Sequence, residues 1–242
     1  MMTTALTISG TWLSQLAGYN PCYRCIWIGY NIRPLPYQSF PGIFSTIDSY
    51  NKKIVHSYID ENHKLPDWLA SLGTINHYIK PPHYSKFSIL HEQSGITLRG
   101  EADGMFRMTD DSLTIIDYKT SRYTKNQEYL LAGYEVQLNA YAFIANELGM
   151  GPVKRLALVY MEPLTEENTI SKVHPVIYQS GFLMQFKPKI VDVNLHPDKL
   201  IPNLLSKAQR VLHSPTAPNG NPTCKNCAAI DALTKAVIEN QS

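Results

Sequence analysis

Asp103, Asp117 and Lys119 are residues whose types and spacing suggest shared chemistry. Side chains alternate faces along a β-strand, so the run IIDYK puts Asp117 and Lys119 on one face with Ile115, and Tyr118 on the other. In the preceding run, Glu101, Asp103 and Met105 likewise share a face. Pairing the two runs as a hairpin brings Asp103 to Asp117, with Lys119 beside them. Carboxylates held that close repel unless a cation lies between them. Hard oxygen donors of this kind select Mg²⁺ or Mn²⁺. A lysine at the margin of such a site can orient water or neutralise charge developing on a phosphate.

The cysteines form a second set. Cys22 and Cys25 make one CxxC pair near the start, Cys224 and Cys227 another near the end, and none is left over. In an intracellular chain this reads as a zinc or iron–sulfur site, with two CxxC disulfides as the alternative. Gathered at one centre, the pairs would close a loop of roughly two hundred residues and contribute to stability.

The elements that must hold these residues are legible in part. The stretch to about Pro41 is rich in aromatics and prolines, has no sustained period, and is expected to be an irregular wrap. Apolar residues from Ile43 to about Asp60 recur at helical spacing, and LPDWLASLG reads as a second short helix ended by Gly73. ITLRGEADGMFRM and LTIIDYKTS, joined by the turn-rich Thr109–Ser112, read as two strands of a hairpin. YEVQLNAYAFIANELG is an amphipathic helix closed by Gly149. KRLALVYME, HPVIYQ and FKPKIVDVNLH follow as strands, PDKLIPNLLSKAQRVL as a helix, and SPTAPNGNPTCKNC as a loop. Strands lying between helices give an α/β class with a mixed central sheet. One domain is expected over 1–242: a wrap over 1–41, a core over 42–212 and a tail over 213–242.

Composition narrows the function classes. A chain with 44% apolar residues is not wholly disordered, and it lacks the repeats of a solenoid. No run approaches the length of a membrane span, and the N-terminus has no secretory pattern, so a cytoplasmic location is expected. The net charge of +2 argues neither for nor against nucleic acid, although carboxylates thin out between Val173 and Cys224.

Three stretches together resemble the RecB-like branch of the PD-(D/E)XK nuclease superfamily: Gly100-Glu101-Ala102-Asp103, Ile115-Ile116-Asp117-Tyr118-Lys119-Thr120 and Gln137-Leu138-Asn139-Ala140-Tyr141-Ala142. The resemblance implies a mixed sheet flanked by helices and divalent-metal hydrolysis of DNA phosphodiesters. Asp103 and Asp117 would be metal ligands, Lys119 the catalytic lysine, and the Tyr118 carbonyl a further ligand. Gln137 and Tyr141 match a QxxxY element, four apart on one helical face. That branch also carries a histidine in a pattern like G-K-x-V-H. The chain reads Lys52-Lys53-Ile54-Val55-His56, so His56 is the candidate ligand, with lysine in place of the glycine. Periodicity puts His56 on the polar side of its helix, and Asp48 is a weaker substitute. Relatives among helicase–nucleases and CRISPR-adaptation nucleases bind a [4Fe-4S] cluster with one early and three late cysteines. Two and two here leave a cubane and tetrahedral Zn²⁺ both open, with the resemblance tipping towards the cluster.

Thr120, Ser121, Arg122 and Lys125 follow the catalytic strand, where a scissile phosphate would lie. Such hydroxyls and cations hold phosphate oxygens without reading sequence. The expected activity is therefore a deoxyribonuclease, an exonuclease of repair, recombination or CRISPR adaptation, acting on single strands or free ends. No helicase motif is present, so a motor or integrase-type protein would be a separate partner. The alternatives are a catalytically silent nuclease-fold module for DNA binding or assembly, and a zinc-stabilised interaction protein.

Overall fold

The computed structural model describes residues 6–18, 20–32, 35, 41–124, 128–166 and 177–239. A central sheet runs in the order β10-β7-β6-β5-β2, built from β2 (Ile75–Ile79), β5 (Gly104–Met108), β6 (Leu113–Lys119), β7 (Val153–Pro163) and β10 (Phe186–Val193). β6 and β7 are parallel and the other pairs antiparallel, as expected of a mixed sheet. The parallel pair is connected through α4 (Glu128–Glu147), because parallel neighbours need a crossover and a helix supplies it.

Each face of the sheet is covered by helix. Ile115 and Leu156 pack towards α4 and α5 (Pro197–Leu212), whereas Ile116, Tyr118, Ala157 and Val159 pack with Val55 and Ile59 of α3 (Gly42–Asn62). The alternation read along IIDYK therefore holds, with each face meeting a different helical layer. Gly73 and Gly149 take positive φ, 110° and 65°, where L side chains are strained, and so end their helical segments as expected. Among the described residues no helix is long and apolar enough to cross a membrane.

Three expectations are corrected. ITLRGEADGMFRM is two strands, because β4 (Ile96–Arg99) belongs to a second sheet, β1-β4-β3, with β1 (Leu6–Ser9) and β3 (Ser88–His91). Gly100 makes the crossing possible: a Cβ there would lie 2.6 Å from Tyr141 Cδ1, so only glycine lets the backbone pass that ring. Among the described residues the segment before Pro41 is not an irregular wrap: β1, α1 (Gly10–Leu13) and α2 (Tyr23–Asn31) are regular, and Ile8, Trp12, Leu13, Leu16 and Ile26 enter the main core. Its pieces are too short to show a period, so their order comes from what they pack against. Finally, the tail is not all loop: α6 (Lys225–Glu239) begins within the second CxxC. In HPVIYQ, only Ile177 and Tyr178 are assigned to a strand, β8, paired with β9 (Gly181–Phe182); residues 174–176 lie outside the described residues.

Candidate active site and cysteine centre

Register delivers the two carboxylates. Gly104 pairs with Ile116, so Asp103 leaves the end of β5 beside Asp117 on β6. The Asp103 carboxylate is fixed from behind, its Oδ2 accepting from the Tyr118 backbone N–H at 2.9 Å. N–H and C=O of a strand residue point to the same edge, so the Tyr118 carbonyl faces that side as well. Asp117 Oδ1 accepts from Gln137 Nε2 at 3.0 Å, and the same amide group donates to Tyr141 Oη at 2.9 Å. Gln137 and Tyr141, one turn apart on α4, thus both act at this site.

Lys119 completes the group, with Nζ 2.5 Å from Asp117 Oδ2 and 3.4 Å from Gln137 Oε1. Its ammonium also lies 4.0 Å from the centre of the Tyr134 ring, a cation–π contact that confines it. Asp103, Asp117, Gln137 and Tyr141 line an open cavity of about 480 Å³, joined by Lys52, Tyr84, Arg99 and Glu101.

The electrostatics are those of crowded anions. Burial, then repulsion from Asp117, raises the Asp103 carboxyl to about 7, against the opposing pull of Lys52. Burial likewise pushes Asp117 upward, with Lys119 opposing. Burial and the neighbouring Asp117 raise Tyr141 to about 12, so it remains a neutral phenol. A buried and a half-buried carboxylate whose outward oxygens meet ammonium groups among the described residues are the donor set a hard divalent cation takes, and the residues fit one.

His56 lies one turn beyond Lys52 on α3. Its ring stacks on Tyr78 with centres 3.9 Å apart, and it lines a neighbouring cavity with Lys52, Glu101 and Asp103. The polar side of α3 therefore faces the site rather than open solvent. Burial, helped by Lys52 and opposed by Asp60, lowers the His56 pKa, which favours the neutral imidazole a metal requires.

Thr120 and Ser121 border a shallow cavity with Asp48 and Lys119. Among the described residues the Thr120 hydroxyl is buried with no hydrogen-bond partner. Arg122 is exposed, and Lys125 lies outside the described residues. Cavity-facing residues beyond those legible as motifs include Lys52, Tyr84, Arg99 and Tyr134. Tyr134, three positions before Gln137, was accessible to helical periodicity. Tyr84 and Arg99, stacked with the guanidinium 5.0 Å from the ring centre, were not, since they meet only through the small sheet.

The cysteines converge. Cys22 precedes α2 and Cys224 precedes α6, and each CxxC forms the first turn of its helix through Ile26 N→Cys22 O and Ala228 N→Cys224 O bonds. All four thiols are free, and their sulfurs lie within 4.8 Å of one another. The sulfurs of Cys22 and Cys227 are 3.3 Å apart, and that of Cys25 is 3.5 Å from Cys227 and 3.6 Å from Cys224. Although burial opposes it, hydrogen bonds led by the Asn221 backbone N–H lower the Cys22 thiol to about 6. Arg24 and Asp231 brace the two helices with paired bonds of 3.1 and 2.6 Å. Four such thiols fit a metal ion.

The crystal structure of SSO0001 is similar to this chain, with 13% identity, TM-score 0.43, and coverage of 89% of this chain and 80% of that one. No curated protein matches the sequence. The family model of the PD-(D/E)XK nuclease superfamily matches residues 53–232. That span holds both carboxylates, Lys119, the Gln137–Tyr141 pair and the second CxxC, and the chain belongs to the PD-(D/E)XK nuclease superfamily.

Proposed function

We propose that the chain is a single-domain, divalent-metal-dependent deoxyribonuclease, exonucleolytic on single-stranded DNA or free ends, working in repair, recombination or CRISPR adaptation beside a separate motor or integrase-type protein in the cytoplasm. The observation that carries this reading is the convergence of Asp103 and Asp117, from adjacent strands, on one lysine-bordered cavity. Asp103, Asp117, the Tyr118 carbonyl and His56 would hold Mg²⁺ or Mn²⁺. That ion would supply Lewis acidity to the phosphate and a nucleophilic water.

The chain's own residues do the rest. Gln137 and the Tyr118 N–H hold the two carboxylates against their mutual repulsion. Lys119, confined by Tyr134, keeps positive charge beside Asp117, where it can offset charge gathering on the phosphate as water attacks phosphorus and the ester oxygen leaves. Thr120, Ser121, Arg122 and Lys125 would hold the flanking backbone. Tyr84, exposed at the cavity margin with Arg99 and His83 against its ring, adds an aromatic and cationic rim that an unpaired base could meet, which supports a single-stranded substrate.

For the cysteines, the sulfur spacing supports one tetrahedral ion. Zinc–thiolate bonds of about 2.3 Å put sulfurs about 3.8 Å apart, close to the spacings present. A cubane, with each thiolate on its own iron, spreads the sulfurs further. Zinc is therefore favoured over the [4Fe-4S] cluster expected from resemblance.

The test is digestion of end-labelled and circular single- and double-stranded DNA with Mg²⁺ or Mn²⁺. Progressive loss of end-labelled linear DNA, abolished by chelator and by Asp117→Ala, is the expected result. Undiminished cleavage by Asp117→Ala, or equal activity in chelator, would overturn the reading, and metal analysis separates zinc from iron.

A further inference from the structure

Four carboxylate oxygens belong to Asp103 and Asp117, and each has a cationic or hydrogen-bonding neighbour. Asp103 Oδ2 and Asp117 Oδ1 are engaged from behind by Tyr118 N–H and Gln137. The two remaining oxygens face ammonium groups: Asp117 Oδ2 meets Lys119, and Asp103 Oδ1 meets Lys52 at 2.6 Å. Lys52 also reaches Asp48 Oδ2, one turn earlier on α3, at 2.8 Å. A cation entering between the carboxylates needs oxygens that these lysines cover.

The two lysines differ in freedom. Lys119 is hemmed in by Asp117, Gln137 and Tyr134, and its side chain is 17% exposed. The side chains of Lys52 and Asp48 are 28% and 34% exposed, so the Lys52 ammonium can withdraw towards solvent without disturbing the core. We propose that Lys52 is a tethered counterion, which neutralises Asp48 and Asp103 in the metal-free protein and must be displaced for the divalent ion to bind. Lys52 is in this sense a positioning residue that sets metal affinity. The inference rests on the metal-dependent reading above. With Lys52 in place, only the fraction of molecules whose ammonium has swung away is competent to bind, and apparent affinity falls by that fraction.

The experiment measures Mn²⁺ binding to the full chain, as purified, by isothermal titration calorimetry, with the thermal midpoint in chelator as a second readout. Wild type is compared with Lys52→Arg, Lys52→Gln and Lys52→Met, and Asp117→Asn serves as the blank for ligand identity. Gln and Met should tighten Mn²⁺ binding about tenfold or more, while Arg stays near wild type. The Gln and Met variants should also melt lower in chelator and recover on adding Mn²⁺. If Met prevents folding, Gln decides the matter, because it keeps a polar, flexible stem. Equal affinity in wild type and Lys52→Gln, with binding still lost in Asp117→Asn, overturns the role of Lys52 and leaves the metal reading intact. Weaker binding in the Gln and Met variants overturns it too. Absence of Asp117-dependent Mn²⁺ binding in every variant overturns both.

Discussion

At the carboxylate site, the two anions belong to one hairpin, joined by a short turn, and strand register aligns them. At the cysteine centre, thiols separated by 199 to 205 residues meet at the starts of two helices that no shared sheet connects. The first arrangement is held without any ion, because Tyr118 and Gln137 donate to one oxygen of each carboxylate and a lysine ammonium pairs with the other. Among the described residues the second is held by thiol contacts, by Asn221 donating to Cys22 Sγ and to the Asn20 carbonyl, and by the ion pair of Arg24 with Asp231 at the surface. The contrast separates chemistry from tethering. Damage to the first site should abolish turnover and spare the fold, and damage to the second should do the reverse.

The largest effect should come from Asp117→Ala, which removes a ligand and the partner of Lys119. Cleavage of labelled DNA should fall by about a thousandfold or more, while circular dichroism melting and bound metal at the cysteines stay unchanged. A parallel loss of folding would break the contrast. Cys224→Ala should act oppositely, lowering the melting temperature by roughly 10 °C, as expected when a closure this long is opened, and releasing the cysteine-bound metal. Retained metal and melting temperature, with four thiols freely reactive in the unmutated protein, would refute a shared centre.

Gly100→Ala sharpens the comparison within the carboxylate site. The added methyl displaces the Tyr141 ring, and with it the hydroxyl that Gln137 bonds. A rate loss of about tenfold with cysteine-bound metal retained is expected for such a small misplacement.

The sites should also differ with pH. Asp103 is raised from 3.8 to about 7, so the metal-free fold binds its proton more readily than the unfolded chain does. Its contribution is full below the unfolded value and is lost as pH rises through about 7. The melting temperature of chelator-treated protein, its cysteine centre still loaded, should therefore fall over that window, and less steeply in Asp103→Asn. An identical slope in both would remove Asp103 as the cause. The smallest effect is expected from exposed Arg122: Arg122→Ala should weaken DNA binding a few-fold and reduce its salt dependence by about one phosphate contact. Anisotropy titrations at several salt concentrations read both.

Local rules carried the sequence reading a long way. Two-residue alternation put Asp117 and Lys119 on one face and Tyr118 on the other, and helical spacing joined Gln137 to Tyr141, because both periods are fixed by backbone geometry. The helix Pro197–Leu212 was readable from its opening Pro197-Asp198, because the fixed φ of proline suits the first helical turn. The pairing of the cysteines within each CxxC also needs only one turn of chain. What the tertiary structure decided is everything that depends on distant neighbours. The break between Arg99 and Gly104 falls where the Tyr141 ring, from another element, leaves no room for a Cβ at position 100. The elements β1, α1 and α2 form because Trp12, Leu13 and Ile26 find a core that their own short periods cannot announce. Lys52 reads in sequence as one of many helix lysines, and packing of α3 against the sheet brings its charge to Asp103. Sequence specifies which faces the side chains take, and burial of one element against another specifies what those faces meet.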